Sequence, residues 1–332
     1  MNNIDILAIG DIATEPFIKI KESEAETKCD TDGSHCKVCL IYGGKVPYES
    51  AEVCNAVGNS SNVSIGASRL GLNSYLMSYV GDDNTGLQNI EKLKDEKVNT
   101  EYINIISGME SNYHYVLWYG NEHTILTKHV EYPYAFPKDL PEPKWIYFSS
   151  LASNSVHYHK EISDYLNSHP NISLAFQPGT FQIKLGIEPL KDIYSKTKVF
   201  LCNLQEAQTI LNTQESDITK LTKMIYSLGP KIVVITDGIN GSYSFDGKES
   251  MFMKAFPDDS FVESTGAGDA FSGAFVSALS LGKDISEALI WGAANAKSVV
   301  GFVGPHRGLL TRTQLEEFIK NNEEIYKPII IV

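Results

Sequence analysis

No run of about eighteen consecutive apolar residues occurs in this 332-residue chain, so no segment is long enough to span a bilayer as a helix. There is no basic run either. Lys and Arg together number 28 against 41 Asp and Glu, a formal net charge of −13. That balance excludes the electrostatic footprint of a nucleic-acid binder. It leaves open small phosphates, which need only a local positive site. The opening MNNIDILAIGDIA lacks a basic leader and reads as a buried strand, so the cytoplasm is the expected compartment. Two common phosphate signatures are missing as well: the chain has no GK[ST] of a P-loop, and no dinucleotide GxGxxG accompanies its main glycine turn.

What is present describes an ordinary globular protein, 42% hydrophobic and 21% charged, long enough for one large α/β domain or two smaller ones. Cysteine is sparse but unevenly placed. Cys29, Cys36, Cys39 and Cys54 cluster early, and Cys202 stands alone at a strand end. Cys36-x-x-Cys39, with Cys29 and His35 nearby, has the flavour of metal ligands, and a redox pair would produce the same cluster. Cys54 lies outside zinc spacing. Unligated thiols in an inserted segment are expected, with zinc at Cys29, Cys36 and Cys39 left open.

The most informative stretch is Val262–Phe271, VESTGAGDAF. Gly266, Ala267 and Gly268 let a backbone approach a ligand closely, and AFSGAFVSALSLG behind them has helical spacing. A glycine turn that opens a helix offers unpaired N–H groups and the positive end of the dipole to a phosphate. Asp269 then stands where a base takes a proton from an attacking hydroxyl. Taken alone, GAGD is equally well a turn with an acidic residue in the first helical turn.

The longer string resembles the C-terminal signature of the ribokinase-like (PfkB) family of carbohydrate and nucleoside kinases. Residues 57–86, VGNSSNVSIGASRLGLNSYLMSYVGDDNTG, resemble the family's other signature, although Val57 replaces a frequent first glycine. CNLQEA (202–207), ITDGING (235–241) and AANAKSVVGFV (293–303) resemble further segments, all in the family's order. The resemblance implies ATP-dependent transfer of the γ-phosphoryl to a hydroxymethyl group of a sugar. Asp269 would be the general base and the 266–269 turn the anion hole. Glu15, or Asp11 in its place, would bind the acceptor together with Gly58, Asn59 and Asn62, and Gln177 can line the pocket. Asn203, Thr236, Gly238, Gly241 and Asn295 fall on the nucleotide side. Glu206 would hold Mg²⁺ through water, and Glu263 is a candidate ligand for K⁺. Lys297 and Arg307 read as solvated charge, and His306 has no role legible in the sequence.

Buried strand-like runs at Ile4–Gly10, Ser74–Val80, Trp145–Ser150, Ser173–Gln177, Lys198–Asn203 and Lys231–Asp237 alternate with helical segments. Such alternation predicts a mostly parallel sheet with helices on both faces. The expected fold is thus a ribokinase-like three-layer α/β sandwich spanning residues 1–332 as one domain. Segments about 15–54 and 111–130 would form a small β lid, with GNEH (120–123) as a turn. The terminal KPIIIV reads as a final strand or an oligomer contact. Phe17, Tyr113, Tyr115 and Trp118 on the lid would stack a base if the acceptor were a nucleoside, the leading alternative. A catalytically silent sugar or nucleotide sensor is a further rival, as is a structural zinc-lid module. Partners are expected to be a small-molecule sugar or nucleoside, without nucleic acid or membrane. The protein would be a monomer or a homodimer paired through exposed lid strands.

Overall fold

The computed structural model describes residues 3–30, 36–120, 122–257, 261–322 and 326–331. In chain order, β1 is Ile6–Ile9, β2 Ala13–Ile20, β3 Ala25–Cys29, β4 Cys36–Leu40 and β5 Tyr48–Val57. Then come β6 (Ser74–Gly81), β7 (Ile103–Ile106), β8 (Asn112–Tyr113), β9 (Tyr115–Tyr119) and β10 (Glu122–Leu126). Next are β11 (Trp145–Phe148), β12 (Ser173–Phe176), β13 (Thr197–Asn203) and β14 (Ile232–Thr236). The last are β15 (Ser242–Phe245), β16 (Ser250–Met253) and β17 (Ile329–Ile330).

The large sheet has ten strands in the order β17-β16-β15-β14-β13-β12-β11-β1-β6-β7. All pairs from β7 to β14 are parallel, and β15, β16 and β17 extend the edge antiparallel. The β1 run is apolar at every position because both of its faces are covered. Ile6 and Ala8 pack with Val63, Phe271, Phe275 and Leu289 in one layer. Leu7 and Ile9 pack with Tyr158, Ile162, Leu190 and Leu221 in the other. Burying each large side chain of this kind contributes roughly 1.5–3 kcal/mol. The result is the expected three-layer α/β arrangement, and KPIIIV supplies the edge strand β17.

From β1 the chain builds outward to β6 and β7, then crosses back to place β11 on the other side of β1. Such a switch point opens a crevice at the carboxyl ends of the two strands. The segment leaving β1 runs from that crevice straight into a second, five-stranded sheet. Its order is β10-β9-β2-β5, with β8 also paired to β2. The sheet draws on the two segments expected to form a lid, but β2 starts earlier, at Ala13, and β5 continues to Val57. Tyr119 pairs with Glu122, so the turn between β9 and β10 is tighter than GNEH, and His123 belongs to a strand. Asn121, within that turn, lies outside the described residues.

β3 and β4 form a separate hairpin whose register sets Cys29 opposite Cys36. The two are joined as a disulfide. This corrects the expectation of unligated thiols there, and it removes both sulfurs from any zinc site. Cys39 and Cys54 remain free, and Cys202 is a buried thiol. His35, grouped with them in the sequence, lies outside the described residues. Among the described residues no three His, Cys, Asp or Glu side chains are placed to hold a metal ion, and no helix is long and apolar enough to cross a membrane.

Candidate active site

The glycine turn leads into a helix, Ala267–Ser280, with Gly266 at its N-cap in the left-handed region (φ 79°). A Cβ at Gly266 would lie 2.3 Å from the Pro305 ring, so only glycine fits both the torsion and the contact. Around Gly268 a Cβ would meet nothing within 4 Å, which marks the open side of the turn. The Ala267 N–H already donates to Ser264 O at 3.1 Å, so this residue gives less to an anion hole than expected. The amides of Gly268 and Asp269, next in the first turn, have no intrahelical acceptor.

Asp269 is buried, and its carboxylate is ringed by amides. Asn59 Nδ2 donates to Oδ1 at 2.8 Å, Gln177 Nε2 to the same oxygen at 3.1 Å, and Asn62 Nδ2 to Oδ2 at 2.7 Å. Asn59 and Asn62 share one face of the Asn59–Arg69 helix, three residues apart. The bend before that helix depends on Gly58 (φ 136°), where a Cβ would meet Asp11 O at 2.6 Å. Gln177 follows β12, and Tyr147 on β11 fixes it by donating its hydroxyl to Oε1. Burial pushes the Asp269 carboxyl above its usual range, and the Asn62, Asn59 and Gln177 hydrogen bonds only partly offset this. The outcome is a rigidly held carboxylate of raised basicity, as a general base requires.

A second tier supports the first. Asn62 gives its N–H to Asp269, so its Oδ1 is free to face His306 Nε2 at 2.8 Å, and the imidazole donates. Burial lowers the His306 pKa to about 3, so the ring is neutral and carries its proton on Nε2. Arg69 donates from Nη1 to the backbone oxygens of His306 and Leu309, at 2.7 and 2.8 Å, and forks onto Glu96. His306 thus gains a role that its sequence context did not disclose.

On the other side of the turn lies a cavity of about 210 Å³. Thr236, Gly238, Gly241, Ala267 and Gly268 all line it, against an apolar wall that includes Phe256 and Phe261. Asp269 therefore stands between this cavity and the two asparagines that lead back to the switch-point crevice.

A profile described as pfkB family carbohydrate kinase matches residues 29–312. The chain belongs to that family. The ribokinase of Bacillus subtilis is 27% identical over 270 residues, which cover 79% of this kinase and 87% of the relative. The ATP-dependent 6-phosphofructokinase of Thermoanaerobacterium thermosaccharolyticum is 25% identical over 271 residues, covering 74% and 79%. The solved structure of Arabidopsis thaliana ribokinase, complexed with ribose and ATP, superposes with a TM-score of 0.76. At 17% identity it covers 96% of this kinase and 99% of that chain, and the likeness is one of fold.

Several residues of this carbohydrate kinase sit differently from expectation. Asn295 is wholly buried, donating to Ala270 O at 3.1 Å and accepting from Leu310 N at 3.0 Å. Both ends of its amide tie elements of the fold together, so it is withdrawn from the nucleotide side. Asn203 and Glu206 form a reciprocal capping box on the Leu204–Leu211 helix. Burial raises the Glu206 carboxyl, and the nearby charge of Asp269 raises it further. Lys297, read as solvated, lines the cavity instead. Arg307 fits its solvated reading, half over the Phe302 ring and 3.9 Å from Glu52.

Glu263 is almost wholly buried. Its oxygens accept N–H from Thr265 at 2.6 Å and from Gly304 at 2.7 Å. The carboxylate serves as a clamp between two loops.

Two further carboxylates, both expected at the acceptor, are buried. Asp11 accepts the Tyr134 hydroxyl on both oxygens at 2.8 and 2.9 Å, with His129 Nδ1 at 3.7 Å. Glu15, on β2, meets His114 Nδ1 at 3.0 Å. It lies near enough to Asp269 to push the latter's carboxyl upward. Tyr134, His114 and His129 were missed in the sequence, because a buried His or Tyr there has no local pattern to mark it.

Proposed function

We propose that this kinase moves the γ-phosphoryl of ATP onto the hydroxymethyl group of an uncharged sugar. The observation that carries the reading is the position of Asp269. It is pinned by three amide donors on the acceptor side, and it opens the helix whose glycine turn borders the cavity. In the proposed step the acceptor hydroxyl attacks the γ-phosphorus in line and the bond to the β-phosphate oxygen breaks. The hydroxyl proton passes to an Asp269 carboxylate oxygen, and ADP leaves. The amides of Gly268 and Asp269 and the helix dipole offset the charge on the moving phosphoryl group.

Mg²⁺ would arrive with the nucleotide and keep most of its water, which suits a site where Glu206 is the nearby carboxylate and no side-chain cage exists among the described residues. When bound, the ion supplies charge neutralisation at the phosphates.

The acceptor is assigned by charge and by the state of the aromatics. Asp11, Glu15 and Asp269 are three buried carboxylates; the first two face the imidazoles of His129 and His114, and the third faces three side-chain amides. A second phosphate or a carboxylate on the acceptor would meet like charge in a poorly screened site. Hydroxyl groups satisfy those oxygens instead. The aromatics that a nucleoside base would need are engaged elsewhere. Phe17 is buried edge-on to His123, Trp118 stacks on His123 and under Lys19, and Tyr113 packs on Tyr115. The smaller sheet would act as the lid over the sugar, with its exposed strand β10 available to pair between subunits. ATP consumption with Mg²⁺ against neutral pentoses and hexoses, sugar acids, sugar phosphates and nucleosides tests the reading. Turnover confined to neutral sugars supports it; turnover confined to a phosphorylated sugar or a nucleoside refutes the acceptor assignment.

A further inference from the structure

We propose that His123 is a positioning residue, which sets the anion-hole turn from the smaller sheet by acting through Glu263. The inference rests on the phosphoryl-transfer reading above, and it adds to the reaction a residue from outside the glycine turn and its asparagines.

The geometry is specific. His123 sits on β10, on a hairpin remote in sequence from the turn, yet its side chain is only 9% exposed. It is held between Trp118, stacked at 5.6 Å, and Phe17, edge-on at 6.3 Å. Its Nε2 is buried without a hydrogen-bond partner among the described residues and faces Glu263 Oε2 at 3.6 Å. Buried polar atoms are seldom left unpaired. Closing the gap by roughly 0.6–0.9 Å makes an ordinary hydrogen bond to a carboxylate.

Glu263 passes that contact on to the site. The same oxygen accepts from Thr265 N, next to Gly266, and the other accepts from Gly304 N, next to Pro305. Gly266 packs directly against Pro305. One carboxylate thus fixes both sides of the contact that shapes the turn. His123 brings a polar atom of the smaller sheet to that carboxylate, while Cys54 and Phe17 of the same sheet pack near Gly304. The ring nitrogen aimed at the carboxylate is the unpaired Nε2, and a carboxylate oxygen can only accept, so an N–H at Nε2 is the donor. The Nε2–H to Oε2 bond closes as the phosphoryl group moves, and it holds the Gly268 and Asp269 amides for the transition state.

The test compares His123→Ala with His123→Gln, which keeps an N–H at similar reach, and with His123→Met, which keeps the bulk without the donor. His123→Ala and His123→Met should lower kcat about ten- to a hundredfold, the weight of a hydrogen bond to a charged group. KM for ATP and for the acceptor should stay within about threefold, because the interaction is realised in the transition state. His123→Gln should recover most of kcat. Combined with Glu263→Gln, the His123→Ala loss should largely vanish, since both changes break one link. Hydrogen exchange provides a readout independent of turnover: segments 263–268 and 303–305 should exchange faster in His123→Ala and His123→Met and return to the wild-type rate in His123→Gln.

Unchanged exchange in those segments, or a raised acceptor KM with kcat intact, overturns the proposal. A wild-type enzyme that turns over no acceptor would refute the kinase reading, and the exchange comparison would still decide the link between His123 and the turn.

Discussion

Replacing Asp269 by Asn should separate catalysis from stability. The change is isosteric and removes the proton acceptor, so kcat should fall about 100- to 10,000-fold, the usual weight of a positioned general base. That corresponds to roughly 2.7–5.5 kcal/mol of transition-state stabilisation. Stability follows a different sum. Burial raises the Asp269 carboxyl, so its ionised form opposes folding increasingly as pH rises above the unfolded carboxylate value. Asparagine removes that penalty at neutral pH. Against this, its amide nitrogen would face the Asn62 amide, whose oxygen is already committed to His306. One charge-assisted hydrogen bond is lost, about 1.5–3 kcal/mol. The opposing effects leave a net change within about 2 kcal/mol, or a Tm within about 5 °C of wild type. Coupled measurement of ADP formation and calorimetric unfolding on the same preparation checks both halves. Activity within tenfold of wild type would refute Asp269 as the base. A fall in Tm well beyond 5 °C would show that the amide ring is a folding element and that the lost activity reports misfolding.

Asn62→Ala removes a donor that lowers the Asp269 carboxyl, so the acid limb of the kcat–pH profile should move to higher pH. It also strands the His306 Nε2–H, at roughly 1–3 kcal/mol of stability, read as a fall in Tm. Gly266→Ala should abolish most activity and destabilise by about 1–3 kcal/mol, because alanine resists the positive φ and its Cβ meets Pro305; denaturant titration and turnover measure the two effects. Burial would raise Glu96, but hydrogen bonds from Arg69 and Lys92 prevail and hold its pKa at about 2. The fold should therefore lose stability as pH falls from about 4.5 towards 2, and Glu96→Gln should flatten that part of the stability–pH curve.

Much of the fold was legible because its signals are local. The strands of the large sheet are apolar runs of the right length, and VESTGAGDAF marks a helix start by composition alone. Asn59, Asn62, Thr236, Gly238 and Gly241 stood out for the same reason, and the structure sets the first two on Asp269 and the other three on the cavity beside the glycine turn. What escaped depends on which distant group a side chain meets. Asn295 occupies a helical position that looks the same whether its amide faces a ligand or the backbone of Ala270 and Leu310. That Glu263 clamps two loops is visible only once Gly304 is folded back onto it. Among the early cysteines, only strand register decides that Cys29 meets Cys36 while Cys39 stays free. His306 and His123 have no local motif at all; each matters through one partner, far away in the chain.

The ring of amides around Asp269 also bears on how the protein is made. Its members arrive from the ribosome in the order Asn59, Asn62, Gln177, Asp269, and the imidazole that steadies Asn62 comes last, at position 306. A nascent chain that has released its nucleotide-side strands but not yet His306 holds a carboxylate whose geometry is still unset. Such a chain holds the asparagines and the base but not the imidazole that orients them, so the site is set only once residue 306 has joined the fold.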